Sequence, residues 1–192
     1  IYLVRHGQTE FNASGRIQGA KDSALTPLGV EQGRRLGRLL GTLAPADARI
    51  IASPLGRTQH TARLIREESR LASEIGHDAR LAEISLGEWD GMLKDDIREM
   101  APEFDAGPRR WDWFFSAPGG DSYEAMTGRL GAWLEEARAL PGTTIAVSHG
   151  VAGRILRGLF LGLPREEALM LDIPQDACFR MFEGVIERIE CG

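Results

Sequence analysis

Cysteine is scarce in this chain: Cys178 and Cys191 are the only two in 192 residues. Two thiols make no disulfide framework, so stability must come from an apolar core, and the composition fits a reducing cytosol. No apolar run is long enough to span a bilayer. Positive charge is in deficit as well, with a net charge of -5 and a pI near 5.5. Those features argue against nucleic-acid and membrane partners, for which a basic surface supplies the affinity. Four histidines are present, with neither a His-x-x-x-His pair nor a carboxylate-histidine cluster, so no metal-ligand set is legible. The expectation is a cytoplasmic protein with no metal and no cofactor. At 43% apolar and 27% charged, the remainder is ordinary globular composition, enough for a single domain over residues 1–192. The chain opens at Ile1, already in a strand, which leaves trimmed residues or a removed leader open.

Ile1 to Val4 are apolar without alternation, as suits an interior strand covered on both faces. Arg5, His6 and Gly7 follow at its C-terminal end. A guanidinium cannot shed its charge, so Arg5 wants an anion. His6 is a neutral base or nucleophile near physiological pH, and Gly7 lets the backbone turn tightly. Taken alone, the triplet serves equally as a strand end where a cation meets water and a histidine packs.

Phe11 to Ser23 is polar, contains Gly15 and Gly19, and predicts a loop. Arg16 and Gln18 there read equally as solvated residues or substrate contacts. Thr26-Pro27 predicts a helix start, with Leu28, Leu36, Leu39 and Leu40 at helical spacing, Gly41 at the stop, and Arg34, Arg35 and Arg38 on the solvated face. Arg49 to Ser53 predicts a strand. Leu55 to Ser69 predicts a helix with Arg57 in its first turn, where free N–H groups favour an anion, and His60 one turn on. Asp78 to Glu83 predicts another strand, preceded by an exposed His77. Glu83 then reads equally as a solvated carboxylate or a general acid.

Residues 84–118 predict short helices whose Trp89, Trp111, Trp113, Phe114 and Phe115 form a small satellite core rather than a substrate cage. Asp121 or Ser122 caps a helix from Tyr123 to Leu140. Thr144 to Val147 is a strand that ends in Ser148-His149-Gly150 and runs straight into a helix over 151–161, again the layout of an anion site. Cys178 to Phe182 and Val185 to Ile189 predict the last strands.

Arg5-His6-Gly7, Ser53-Pro54-Leu55-Gly56-Arg57-Thr58, Glu83 ahead of Gly87-Glu88-Trp89-Asp90-Gly91, and Ser148-His149-Gly150 stand in a telling order. Over nearly its whole length the chain resembles the histidine phosphatase (phosphoglycerate mutase-like) superfamily, as a short phosphatase-type member. That resemblance implies an α/β fold: a three-layer α/β/α sandwich with a central, mostly parallel mixed sheet and a small helical cap inserted at residues 84–118. It also implies a metal-independent phosphatase with a phosphohistidine on His6, Glu83 as general acid and base, and His149 as a third catalytic residue. Arg5, Arg57, His149, Asn12 and Gly150 would surround the phosphoryl group, and Gln18, Trp89 and Tyr123 would touch substrate. The expected partner is a small phosphorylated metabolite, and a homodimer is compatible.

Gln175-Asp176-Ala177-Cys178 departs from the family pattern and takes no role. Only Cys191-Gly192 follow the last predicted strand, which favours a phosphatase over a mutase. Arg109-Arg110 resembles basic residues of the mutase cap and keeps phosphoglycerate mutase-type transfer as the alternative, beside a non-catalytic phospho-ligand binding module.

Overall fold

The computed structural model describes residues 1–102 and 111–192; the Arg109-Arg110 pair lies outside them. The opening apolar run forms β1 (Tyr2–Arg5). Its alternate residues serve different faces of the sheet, Tyr2 and Val4 entering one buried cluster and Leu3 the other. β2 (Arg49–Ala52), β3 (Ile75–His77) and β4 (Thr144–Ser148) join it in parallel, while β5 (Ala177–Phe182) pairs antiparallel with β1 and β6 (Val185–Glu190) antiparallel with β5. The strand order is β3-β2-β4-β1-β5-β6. β4 therefore lies between β1 and β2, and the register sets Arg5 beside Ser148 and Ala52 beside Val147. Three parallel C-terminal ends thus share one edge, where α/β sheets bind ligands.

α1 (Glu10–Ala13) is a single turn within the segment expected to be loop. Thr9 caps it, its Oγ1 accepting from the Asn12 N–H at 3.2 Å while Asn12 Oδ1 accepts from the Thr9 N–H at 3.2 Å. This is a capping box closed by asparagine instead of the usual Glu or Gln, so the sequence signature is weak. α2 (Pro27–Leu43) starts at the predicted Thr26 cap but runs two residues past Gly41. α3 (Gly56–Ser69) begins with Leu55 as its N-cap. Together α2 and α3 cover one face of the sheet, over Leu36, Leu40, Ile50, Ile65, Ile145 and Val147.

Leu28, read as a core residue, is 53% exposed. Glycines at 29, 33, 37 and 41 form a ridge at helical spacing instead, against which the neighbouring chain packs closely. A Cβ at Gly33 would lie 2.8 Å from Leu64 Cδ1, and one at Gly37 2.6 Å from Glu68 Cβ. At the head of that ridge Gly29 meets the turn after His6: a Cβ there would lie 2.0 Å from the Gln8 carbonyl oxygen.

The strand predicted over 78–83 is displaced: β3 ends at His77, which is exposed, and Ala79–Leu81 form a 3-10 turn. Asp78 accounts for the change, since its Oδ1 accepts from the Arg80 N–H at 2.8 Å, a local bond that competes with the sheet. Beyond it come a 3-10 turn (Gly87–Trp89), α4 (Lys94–Met100) and a second turn (Trp113–Ser116), the short helices expected there. α5 (Tyr123–Ala139), capped by Ser122, α6 (Gly150–Leu161) and α7 (Arg165–Met170) complete the helices described. Trp89 and Phe114 do not form a satellite core. They share one cluster with Leu3, Met126, Leu130 and Ile155, so both are packed on the second face of the sheet. Among the described residues no helix is long and apolar enough to cross a membrane.

Because backbone atoms occupy the space beside Gly29, Gly29→Ala is expected to lower the unfolding free energy by about 1–3 kcal/mol. Gly128→Ala, in α5 with open space around it, is expected to raise it by up to about 1 kcal/mol. Urea denaturation of the two variants checks the contrast.

Candidate active site

His6 and His149 leave the adjacent ends of β1 and β4, and the His6 N–H donates to the Ser148 carbonyl at 3.1 Å. Their rings approach edge-on, with centroids 5.3 Å apart. The third strand end, at Ser53, feeds α3 and brings Arg57 in beside them. All three side chains are buried.

His6 Nδ1 lies 2.8 Å from the Gly7 carbonyl oxygen. A carbonyl only accepts, so Nδ1 carries the proton. Burial, then the charges of Arg5 and Arg57, hold the His6 pKa well below 6.5, which makes the ring neutral and leaves the lone pair on Nε2. His149 has both nitrogens engaged: Nδ1 accepts from Arg57 Nε at 3.2 Å, and Nε2 sits 2.8 Å from Ser53 Oγ. Its pKa is also held well below 6.5, first by burial and then by Arg57.

The two arginines differ in what they have left to give. Arg57 donates Nη1 to the Lys21 carbonyl at 2.7 Å and to Asp22 Oδ1 at 3.2 Å, and Nη2 to the Gly19 carbonyl at 2.9 Å. With Nε on His149, a single N–H of its five is left over. Arg5 gives only Nη1, to the Ile173 carbonyl at 2.7 Å, and its Nε is buried without a partner. Burial pushes the Arg5 pKa down to about 10, against the opposing pull of Glu83.

Glu83 sits at the N-terminus of α6. Its Oε2 accepts from the Val151 N–H at 3.1 Å, and Oε1 accepts from Ala152 at 3.0 Å and Ile84 at 3.1 Å. The preceding turn is held by Arg129, whose guanidinium donates to the carbonyls of Arg80, Ala82 and Glu83. A Cβ at Gly150 would come within 3.6 Å of Arg5 Nε and 3.7 Å of Glu83 Oε2, so a small residue there keeps the corner open.

One cavity of about 290 Å³ gathers Arg5, His6, Arg57 and Glu83, together with Asn12, Gln18 and Gly150. His149 stands behind it, against Arg57. Trp89 and Tyr123 are not on its wall: Trp89 packs 6.1 Å from the Trp113 ring, and Tyr123 lies between Phe115 and the Arg165 guanidinium. Trp113 and Phe114 line the cavity in their place. His60 lies outside, in a separate surface hollow beside Asp22. Among the described residues no group of three or more His, Cys, Asp or Glu side chains is arranged to hold a metal.

A profile of the histidine phosphatase superfamily (branch 1) matches residues 1–187. The chain belongs to that superfamily. It is an enzyme of the phosphomonoesterase type. The probable phosphoglycerate mutase GpmB of Salmonella paratyphi C (strain RKS4594) is 35% identical over 166 residues, covering 85% of this chain and 75% of that protein. Bacillus stearothermophilus YhfR superposes with a TM-score of 0.80 at 31% identity, over 97% of this chain and 93% of its own. A mycobacterial glucosyl-3-phosphoglycerate phosphatase in complex with VO3 gives a TM-score of 0.76 at 26% identity, over 99% and 96%.

Against this histidine phosphatase background, Gln175 is the residue sequence reasoning passed over. Its Nε2 donates to the His6 carbonyl at 3.0 Å and to Asn12 Oδ1 at 3.2 Å. With Thr9 on the same oxygen, the Asn12 carbonyl is committed to the protein and its NH2 group is turned the other way. Arg154 and Lys94 also line the cavity unforeseen.

Neutral, buried imidazoles tie folding to pH. His6 and His149 resist protonation when folded and accept it near pH 6.5 when unfolded. Their contribution is complete above about pH 6.5 and is lost as the pH falls toward their lower folded values. The urea midpoint is therefore expected to drop between about pH 7.5 and about pH 5, and to drop less in His6→Gln. An unchanged slope in the variant would contradict the buried neutral ring.

Proposed function

We propose that this chain hydrolyses small phosphomonoesters without a metal, through a phosphohistidine on His6. The observation that carries it is the His6 ring: neutral, its Nδ1 proton fixed on the Gly7 carbonyl, its Nε2 lone pair left for a cavity that also holds Arg5 and Glu83. A phosphoryl dianion repels nucleophiles, so its nonbridging oxygens must first be neutralised. Arg5 does most of this, with four N–H groups uncommitted, helped by the remaining N–H of Arg57 and the Asn12 amide. His149 acts through Arg57, whose Nε it receives, and so counts as a positioning residue.

Nε2 attacks phosphorus and the P–O ester bond breaks, while protonated Glu83 gives its proton to the departing oxygen. The alcohol leaves. Glu83, now a carboxylate, takes a proton from water as that water attacks phosphorus. The N–P bond breaks, giving inorganic phosphate, neutral His6 and protonated Glu83. The guanidiniums supply the positive charge that a metal would otherwise bring. Likeness to a glucosyl-3-phosphoglycerate phosphatase supports hydrolysis. Likeness to a probable phosphoglycerate mutase favours a second reading, in which the phosphoryl group returns to a bound intermediate.

Turnover of an aryl phosphate and of 3-phosphoglycerate in EDTA, scored for free phosphate against isomerised product, separates these readings. Free phosphate is expected; loss of activity in EDTA would overturn metal independence. His6→Ala is expected to cost about three orders of magnitude or more in kcat, with no acid-labile phosphoenzyme on rapid quench. Glu83→Gln is expected to slow alkyl phosphates by about 10²–10⁴ and activated aryl phosphates far less, since only the poor leaving group needs the proton. Equal losses on both would remove Glu83 from the acid role.

A further inference from the structure

The segment 175–178 leaves the family pattern, yet it leads into β5 beside His6. β5 runs antiparallel to β1 with Cys178 next to Val4, so the residues ahead of β5 arrive where β1 ends and His6 leaves the sheet. Two of them touch the groups gathered there. The Ile173 carbonyl accepts from Arg5 Nη1 at 2.7 Å, and half-buried Gln175 gives Nε2 to the His6 carbonyl at 3.0 Å and to Asn12 Oδ1 at 3.2 Å.

Each bond dictates the polarity of the next. A backbone carbonyl only accepts, so the end of Gln175 that faces His6 is its NH2 group. That group only donates, so the Asn12 atom facing it is the amide oxygen; the Thr9 N–H, also only a donor, meets the same oxygen at 3.2 Å. The Asn12 oxygen is thereby occupied by protein, and its NH2 group is the part left for the cavity that Asn12 lines. A carboxamide turned through half a rotation would set its oxygen against a phosphoryl oxygen, acceptor against acceptor, and its NH2 against two donors.

We infer that Gln175 is a positioning residue for phosphoryl binding: it carries the fixed polarity of the His6 carbonyl across to Asn12, so that Asn12 meets the anion as a donor. This rests on the phosphatase reading in placing the phosphoryl group beside Asn12. A residue that merely braced the start of β5 against the end of β1 would act without Asn12.

The test is a cycle of Gln175→Met, Asn12→Ala and the two together, read by calorimetric binding of inorganic phosphate and by kcat/KM on phenyl phosphate. Methionine has nearly the length of glutamine and cannot direct an amide. Gln175→Met is expected to weaken phosphate binding about tenfold and to lower kcat/KM by a similar factor, the size of one bond to a charged group. In the Asn12→Ala background the same change is expected to cost less than about twofold. Gln175→Glu reverses the polarity, because a carboxylate only accepts and draws the Asn12 NH2 group to itself. It is expected to lose more than Gln175→Met at about pH 7.5 and, relative to wild type at each pH, to recover part of that loss near about pH 5, where a protonated carboxyl donates again. Gln175→Glu carries the test even if Gln175→Met does not fold. Unchanged phosphate binding in Gln175→Met, equal losses for Met and Glu, or a full loss in the Asn12→Ala background would each overturn the inference. Wild-type protein that binds phosphate with the coupling intact but turns nothing over would overturn hydrolysis and leave Gln175 in its role. Wild-type protein that neither binds phosphate nor turns over would overturn both.

Discussion

Burying positive charge without a full complement of negative charge is the constraint from which the rest of this site follows. Arg57 is almost wholly buried and Arg5 half-buried, and each sits beside an imidazole that can itself become cationic. A guanidinium does not neutralise on burial as a carboxyl or an imidazole does, so the rings yield and remain uncharged. The catalytic consequence and the structural one coincide. The field that makes the cavity attractive to an anion also keeps a lone pair on His6 Nε2.

The protein meets that cost with backbone. Carbonyls of Gly19, Lys21 and Ile173 accept from the two guanidiniums. Loop geometry is correspondingly tight: Gly19 has φ +55°, and a Cβ there would lie 1.5 Å from Asp90 Oδ1. Asp90 in turn accepts from the Ala20 and Leu86 N–H groups, tying the loop under the cavity to the segment over it. Arg57 is thus as much the tether of the 19–22 loop as a ligand for an anion. Arg5, with its orphaned Nε, is the freer of the two.

Much of this was legible because chemistry and punctuation coincide at strand ends. An unbroken apolar run stopping at Arg5-His6-Gly7 or Ser148-His149-Gly150 marks a buried strand and its end, though not by itself a site, and Thr26-Pro27 marks a helix start by local rules. The division of labour between Arg5 and Arg57 was not legible, since it depends on carbonyls brought in from elsewhere. Gln175 reaches His6 and Asn12 across more than 160 residues, and Arg154 reads as any arginine on a helix. The glycine ridge of α2 is not announced by leucine periodicity, since close helix packing can be written in the absence of side chains. Asp78 outweighed the apolar residues after it through one bond to its own chain. Glu83 stands level between two readings in the sequence, and the three N–H groups that hold its carboxyl come from its own turn and from the start of α6, which no local pattern announces.

Net charge and local charge also part company here. An acidic protein repels polyanions at long range, but that repulsion is screened within about a Debye length, roughly 8 Å at physiological salt. Inside a cavity walled by Ile17, Trp113 and Phe114, five cationic side chains act through a lower dielectric than water and outweigh the distant surface. A long polyanion gains only what one terminus can insert, while the rest of its length stays against an acidic exterior. On the proposed reading, selectivity for small phosphorylated ligands then needs no separate device: it follows from where the arginines are, set against the negative net charge of the whole chain.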